Sequence, residues 1–249
     1  MAKAYRARCI VLSKTKLGET DVILTMLAED GRQVRAVAKG LRKPGNRFGA
    51  RLEPYSVVDA LLHPGRSLDV VGEARCVATN AACREGLERP AAAAVIAEFL
   101  DKLTRDGAQA GERVFALTQA ALASIGHVAG PDSAALLAAA HLVKAMAMQG
   151  LRPATRACAL CGTPLTVPQR FDVSAGGSVC GACAATQGAG LVLAPSTAGW
   201  VEVLLGMRFS ELEEVGGAPA GELLEFAELW VREHFSLHLK SVSFLKTLL

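Results

Sequence analysis

The sequence predicts an α+β protein: a small barrel of short strands in residues 1–80, then an α-helical domain in residues 81–249. A four-cysteine module at 154–190 interrupts the helices. Three observations carry this reading. Residues 1–80 alternate short apolar runs with glycine, proline and charged turns. From about residue 80 the chain turns alanine-rich, with apolar positions three or four apart. Cys158, Cys161, Cys180 and Cys183 repeat a C-x-x-C spacing within a glycine-rich stretch. The chain has 249 residues and is 51% hydrophobic, ample for more than one folded core. Aromatics make up only 5%, so Leu, Val and Ala must fill most of that core.

The first strand is read at residues 5–12, ending in the apolar run Cys9-Ile10-Val11-Leu12. The second is the DVILTML segment, 21–27. Glu29-Asp30-Gly31 is a turn signal, and residues 32–38 follow as a third strand. There Val34, Ala36 and Ala38 share one face, and Arg35, Val37 and Lys39 the other. Residues 51–62 and 67–71 complete the set, joined by the turn His63-Pro64-Gly65-Arg66. Five short strands in this length suit a small closed or partly closed barrel. An SH3-like barrel or a half-sandwich fits the same pattern, and an OB-type barrel gains from the basic loop described below.

Pro90 suits the start of a helix over 91–105. Residues 111–125 carry Val114, Leu117, Ala121 and Ile125 as a stripe. Asp132 or Ser133 can cap a third helix that stops near Gln149-Gly150. Helices are read again at 196–206, at 210–215 and at 219–238, the last with a wide apolar face.

The cysteines form C-x-x-C, eighteen residues, C-x-x-C. Two such knuckles let each thiolate pair converge on one ion, and four thiolates leave no open position. A structural Zn2+, one per chain, is the reading of Cys158, Cys161, Cys180 and Cys183. A redox C-x-x-C, a pair of disulfides and an iron–sulfur cluster are the competing readings. Cys9, Cys76 and Cys83 stand apart and are read as small buried apolar residues.

Charge is distributed unevenly. Residues 1–80 hold 14 Lys and Arg against 8 Asp and Glu, while the remainder holds 13 against 16. The stretch 31–52 concentrates Arg32, Arg35, Lys39, Arg42, Lys43, Arg47 and Arg51 with no acidic residue. Cations that replace condensed counterions on a polyanion release them to solvent, so this strand and loop are the candidate nucleic-acid contact. Phe48, Tyr55 and Tyr5 are the nearby aromatics able to stack on bases, core packing being the alternative for each, and the favoured one for Tyr5. Many cations with few stacking platforms imply phosphate contacts and weak sequence preference. No phosphate loop, nucleophile elbow or HExxH is present, so no enzyme is expected. Neither a secretory leader nor a membrane span is read, and a cytoplasmic protein is expected.

Gly18-Glu19-Thr20-Asp21, Leu24-Thr25, Asp30-Gly31, Ala38-Lys39-Gly40 and residues 47–54 (RFGARLEP) resemble the N-terminal signature of the bacterial RecO recombination mediators. The alanine-rich helices, the inserted knuckle and the closing Ser241-Val242-Ser243-Phe244-Leu245 extend the resemblance over essentially the whole chain. It implies an OB-fold, a helical domain and a zinc module in a nucleoid-associated protein. It also implies binding to single- and double-stranded DNA and annealing of complementary strands. The implied partners are RecR, RecF and single-strand-binding protein (SSB), and the implied task is loading RecA onto SSB-coated strands. By position the family's basic strand and loop falls on Arg35, Lys39, Arg42, Lys43 and Arg47, and its zinc positions on the four cysteines. Some members lack these cysteines, which assigns the metal to folding. The competing readings are a protein-interaction scaffold with incidental DNA contact and a zinc-dependent nucleic-acid enzyme.

Overall fold

A computed structural model describes residues 3–46, 48–166, 170–186, 192–193 and 195–249. The chain divides into two compact units, 1–127 and 128–249.

Five strands build the first unit: β1 (Tyr5–Leu17), β2 (Asp21–Ala28), β3 (Gln33–Ala38), β4 (Val57–His63) and β5 (Asp69–Ala78). They close in the order β1-β2-β3-β5-β4, with β3 and β5 parallel and the other pairs antiparallel. This is a five-stranded OB-fold barrel. Val22, Leu24 and Met26 from β2, Val34, Ala36 and Ala38 from β3, and Leu62 and Val71 fill its interior. The alternation read for the third strand therefore holds, with Arg35 and Lys39 outside and exposed. Helices α1 (Glu88–Leu103) and α2 (Glu112–Ile125) follow, and α1 packs on β1 and β2. β5 ends at Ala78 and α1 begins at Glu88, while the compact unit runs on to His127.

Three strand readings need correction. β1 continues five residues past Leu12, because Ser13-Lys14-Thr15-Lys16-Leu17 alternates and pairs with β2 beyond a bulge between Val11 and Ser13. The segment expected to be strand from Arg51 is a 3-10 turn at Gly49–Leu52, and β4 begins only at Val57. β5 extends to Ala78, well past Val71, held by its pairing with β4.

The second unit is built around α3 (Pro131–Met148), whose Ala, Leu, Val and Met side chains are buried on nearly every side. No helix of the described residues is long and apolar enough to cross a membrane. The cysteine segment, read as irregular, contains a small sheet of β6 (Arg170–Asp172), β7 (Gly177–Val179) and β8 (Val192–Leu193) in the order β7-β6-β8. Short α4 (Gly181–Ala184) follows β7. Then come α5 (Pro195–Gly206), α6 (Phe209–Leu212), α7 (Ala220–Phe235) and α8 (Lys240–Lys246). Helix α7 stops three residues before the expected end at His238, where Ser236 takes a left-handed φ of 54°. Phe171 on β6 packs 5.3 Å from Phe226 and 6.0 Å from Trp230 on α7, while Trp230 Nε1 donates to the Leu151 carbonyl at 3.0 Å. These contacts seat the cysteine-bearing sheet on the helices. Lys144 donates to the Leu205 and Met207 carbonyls at 3.1 and 2.8 Å, satisfying the end of α5.

Phe48 anchors the chain's return from the β3–β4 connection. It is 2% exposed and packs in the barrel core with Leu41 and Leu52. Phe48→Ala is expected to cost about 3–5 kcal/mol, the usual loss for a buried aromatic truncated to a cavity. Chemical denaturation followed by circular dichroism measures this.

Candidate nucleic-acid interface and metal centre

The basic stretch is held by its backbone. Gly40 takes a φ of +68°, a left-handed conformation that favours glycine, and its N–H donates to Asp21 Oδ1 at 2.8 Å. The Thr20 hydroxyl donates to the same carboxylate oxygen at 3.0 Å. The Gly40 amide, then the Thr20 hydroxyl, hold the Asp21 carboxyl below the ordinary carboxylate range. Arg42 completes the clasp. Its N–H donates to the Thr20 carbonyl at 2.9 Å, and its guanidinium to the Glu19 carbonyl at 2.9 Å. Thus the Gly18–Asp21 turn and the Ala38–Gly40 segment, separate in sequence, are one structural joint. Further along, the Asn46 side-chain carbonyl accepts from Phe48 N–H at 3.0 Å and Gly49 N–H at 2.8 Å, starting the 3-10 turn.

This framework sorts the seven cations. Lys39 and Lys43 are exposed, form no ion pair among the described residues, and line one depression of about 620 Å³ with Asp21 and Asn46. Arg35 is exposed on the outer face of β3 and likewise forms no ion pair among the described residues. Arg42 is spent on turn carbonyls. Arg32 pairs with Asp30 at 2.9 Å and lies 4.9 Å over the Tyr5 ring. Arg51 is exposed on the 3-10 turn, and Arg47 lies outside the described residues. So Lys39 and Lys43 share one depression, whereas Arg32 and Arg35 line a different one.

Of the aromatics, Phe48 is not a stacking platform, because its ring is consumed by the barrel core. Tyr55 is half-buried at a left-handed φ of 72°. Tyr5 packs against the barrel core, as expected, and stays partly exposed where it lines a cavity.

Sequence reasoning missed Lys14 and Lys16. They pair in register with Leu24 and Val22, so they share the core-side face of the β1–β2 hairpin. Lys14 is tied to Glu53 at 2.8 Å, while Lys16 is exposed. The S-K-T-K-L alternation was the available signal. Arg66, a turn residue in the sequence, is a further exposed cation.

The four cysteines meet. The Sγ atoms of Cys158, Cys161, Cys180 and Cys183 lie within 4.8 Å of one another. Gly162, at a φ of +73°, turns the first knuckle, and its N–H donates to the Cys158 carbonyl at 2.9 Å. Cys180 N–H points at Cys158 Sγ across 3.4 Å. The Cys161 and Cys180 sulfurs are 3.8 Å apart, the edge of a tetrahedron with metal–sulfur bonds of about 2.3 Å. The Cys180 and Cys161 amides draw the Cys158 thiol down to about 6. The neighbouring Cys180 and Cys161 thiols push Cys183 up to about 12. Thiolates this close repel, and a divalent cation relieves that repulsion, so the donor set fits a metal ion.

A closed OB barrel with a cationic rim, continued by helices and a four-thiol knuckle, is the build of a nucleic-acid-handling protein. Residues 1–80 match the family model described as Recombination protein O N terminal, and residues 84–243 match Recombination protein O C terminal. The chain belongs to the RecO family, whose members act in DNA repair and recombination.

Folding depresses the Asp21 carboxyl, so its hold on Gly40 is complete above the ordinary aspartate pKa of about 3.9. It is lost as pH falls through the depressed value. Hydrogen exchange of the Gly40 amide, corrected for intrinsic rates, is therefore expected to stay slow from pH 7 to about 4 and to accelerate only in stronger acid. Asp21→Ala is expected to expose it throughout.

Proposed function

We propose that the protein is a non-enzymatic mediator of DNA recombination and repair. It binds single- and double-stranded DNA through the cationic rim and anneals complementary strands. With RecR and RecF it helps load RecA onto strands coated with single-strand-binding protein. Its workplace is the cytoplasm, at the nucleoid. The observation that carries the DNA contact is the set Arg35, Lys39 and Lys43, exposed and without ion pairs among the described residues. Unpaired ammonium and guanidinium groups on a braced backbone exchange water and counterions for phosphate at small ordering cost. Cations engaging two phosphate backbones lower the repulsion that opposes annealing. Arg32, Arg42 and Arg51 add to the basic surface, with Arg42 holding its framework, and Arg47, outside the described residues, is assigned to the same contact by its place in the sequence.

The double variant Lys39→Ala/Lys43→Ala is expected to weaken binding to all sequences alike. In a log–log plot against salt, the single-strand slope should flatten by about 0.7 per lost contact. Fluorescence anisotropy with an arbitrary labelled oligonucleotide reads both. Unchanged affinity and slope would remove this rim as the site.

The metal is zinc in this reading, held by Cys158, Cys161, Cys180 and Cys183 and serving the fold. Four thiolates suit Zn2+ in a closed tetrahedral site, and the binding energy of such a site adds to folding. Cys180→Ser is expected to lower both the bound zinc per chain and the melting temperature, with DNA affinity retained below the transition. Atomic emission and calorimetry on the same sample check this, and normal stability after zinc loss would sink the structural role.

A further inference from the structure

A cavity of about 360 Å³ opens at one end of β3. It belongs to the first unit, and its walls include Tyr5, Arg32, Arg35, Arg66, Ser67 and Asp106. Its size falls at the lower end of small-ligand sites, which run from roughly 300 to 1,000 Å³.

Its chemistry is not that of the Lys39–Lys43 depression. One wall is a stacked pair of planar groups, Arg32 lying 4.9 Å over the Tyr5 ring. Both are held in place: the Tyr5 hydroxyl donates to Asp69, and Arg32 Nε donates to Asp30 at 2.9 Å. Burial, then the Asp69 contact, pushes Tyr5 up to about 12, so the ring is a neutral platform. Arg35 and Arg66 are exposed and form no ion pairs among the described residues. Asp69 and Asp106 also line the space, so acceptors stand beside donors. A site for a bare anion gains nothing from two carboxylates. A nucleobase, whose edge carries donors and acceptors and whose face stacks on aromatic and guanidinium planes, uses both.

Arg35 also places the cavity relative to the rim. It precedes Lys39 by four residues on the same outward face of the chain, about 13 Å at strand rise. A strand whose phosphates lie on Lys39 and Lys43 reaches the cavity by following β3.

We propose that this cavity receives one unstacked nucleotide of a bound strand, its base against the Tyr5–Arg32 pair and its phosphate between Arg35 and Arg66. The proposal rests on the DNA-binding reading above and adds a base contact to a surface otherwise built for phosphates.

The test uses the full chain and two labelled oligonucleotides of equal length. One is thymidine, and the other keeps every phosphate but carries abasic tetrahydrofuran at every position. Wild type is expected to bind the abasic strand about tenfold more weakly, in line with the usual effect of losing base stacking. Tyr5→Leu is expected to shrink that ratio at least threefold by weakening only the thymidine strand. Tyr5→Phe, which keeps the ring, preserves it. Arg32→Lys keeps the charge but removes the planar face, and gives the same loss of ratio should Tyr5→Leu fail to fold. Arg66→Ala is expected to weaken both strands and lower the salt slope by about 0.7. Equal wild-type binding to the two strands overturns the proposal, as does a ratio that survives in both Tyr5→Leu and Arg32→Lys. Tight binding to both strands with no ratio leaves the DNA-binding reading standing alone, whereas no binding to either removes both.

Discussion

The Gly40 amide donating to the Asp21 carboxylate is the contact on which the cationic surface depends. A loop rich in like charges repels itself and has little reason to hold one path. Here the path is fixed at three points: Asp21 on Gly40, Arg42 on the turn carbonyls of Gly18 and Glu19, and Asn46 on the amides of Phe48 and Gly49. Phe48 and Leu52 then return the chain into the barrel core. This bracing uses backbone groups, the side chains of Asp21, Arg42 and Asn46, and the buried Phe48 and Leu52. The ammonium groups of Lys39 and Lys43 take no part in it, so restraint of the loop and availability of its charge do not compete.

Much of this was legible in the sequence, for definite reasons. Period-two alternation put Val34, Ala36 and Ala38 on one face and Arg35 and Lys39 on the other, and burial agrees. The C-x-x-C spacing brought four sulfurs together because a two-residue spacer is short enough to aim both thiols one way. The errors have causes too. The apolar run of β1 ends at Leu12, whereas hairpin pairing with β2 carries the strand on through polar residues to Leu17. The apolar neighbours of Arg51 suggest a strand, but Leu52 is buried by a 3-10 turn instead. Phe48, a candidate stacking ring in the sequence, is buried in the barrel core, and Tyr5 packs against that core while staying partly exposed. Which aromatic faces solvent is decided by tertiary closure of the barrel, and composition carries no trace of it.

The second unit follows a different economy. Its central helix α3 is too alanine-rich to have a polar face, so it is buried all round, with His141 left neutral because burial pushes it down to about 3. Small side chains let the helices approach closely but give few large interlocking groups. The aromatic cluster of Phe171, Phe226 and Trp230 supplies those, and one member comes from the cysteine-bearing segment. On the proposed reading, a metal held by the four cysteines would also steady that ring in the core of this unit.

Two of the barrel's depressions differ in what they can discriminate. The one between Lys39 and Lys43 offers charge on long flexible stems, with Asp21 already engaged by backbone. Point charges of that kind follow phosphates wherever they lie and read no sequence. The one beside Tyr5 offers fixed planes, each pinned by a carboxylate, with arginines at its edge. Rigid planes favour bases that have left the stack, the form found in single strands and at the point where two strands begin to pair. A protein that must hold strands without regard to sequence, yet distinguish an unpaired base from a paired one, needs both kinds of surface. On this barrel β3 joins them along a single strand.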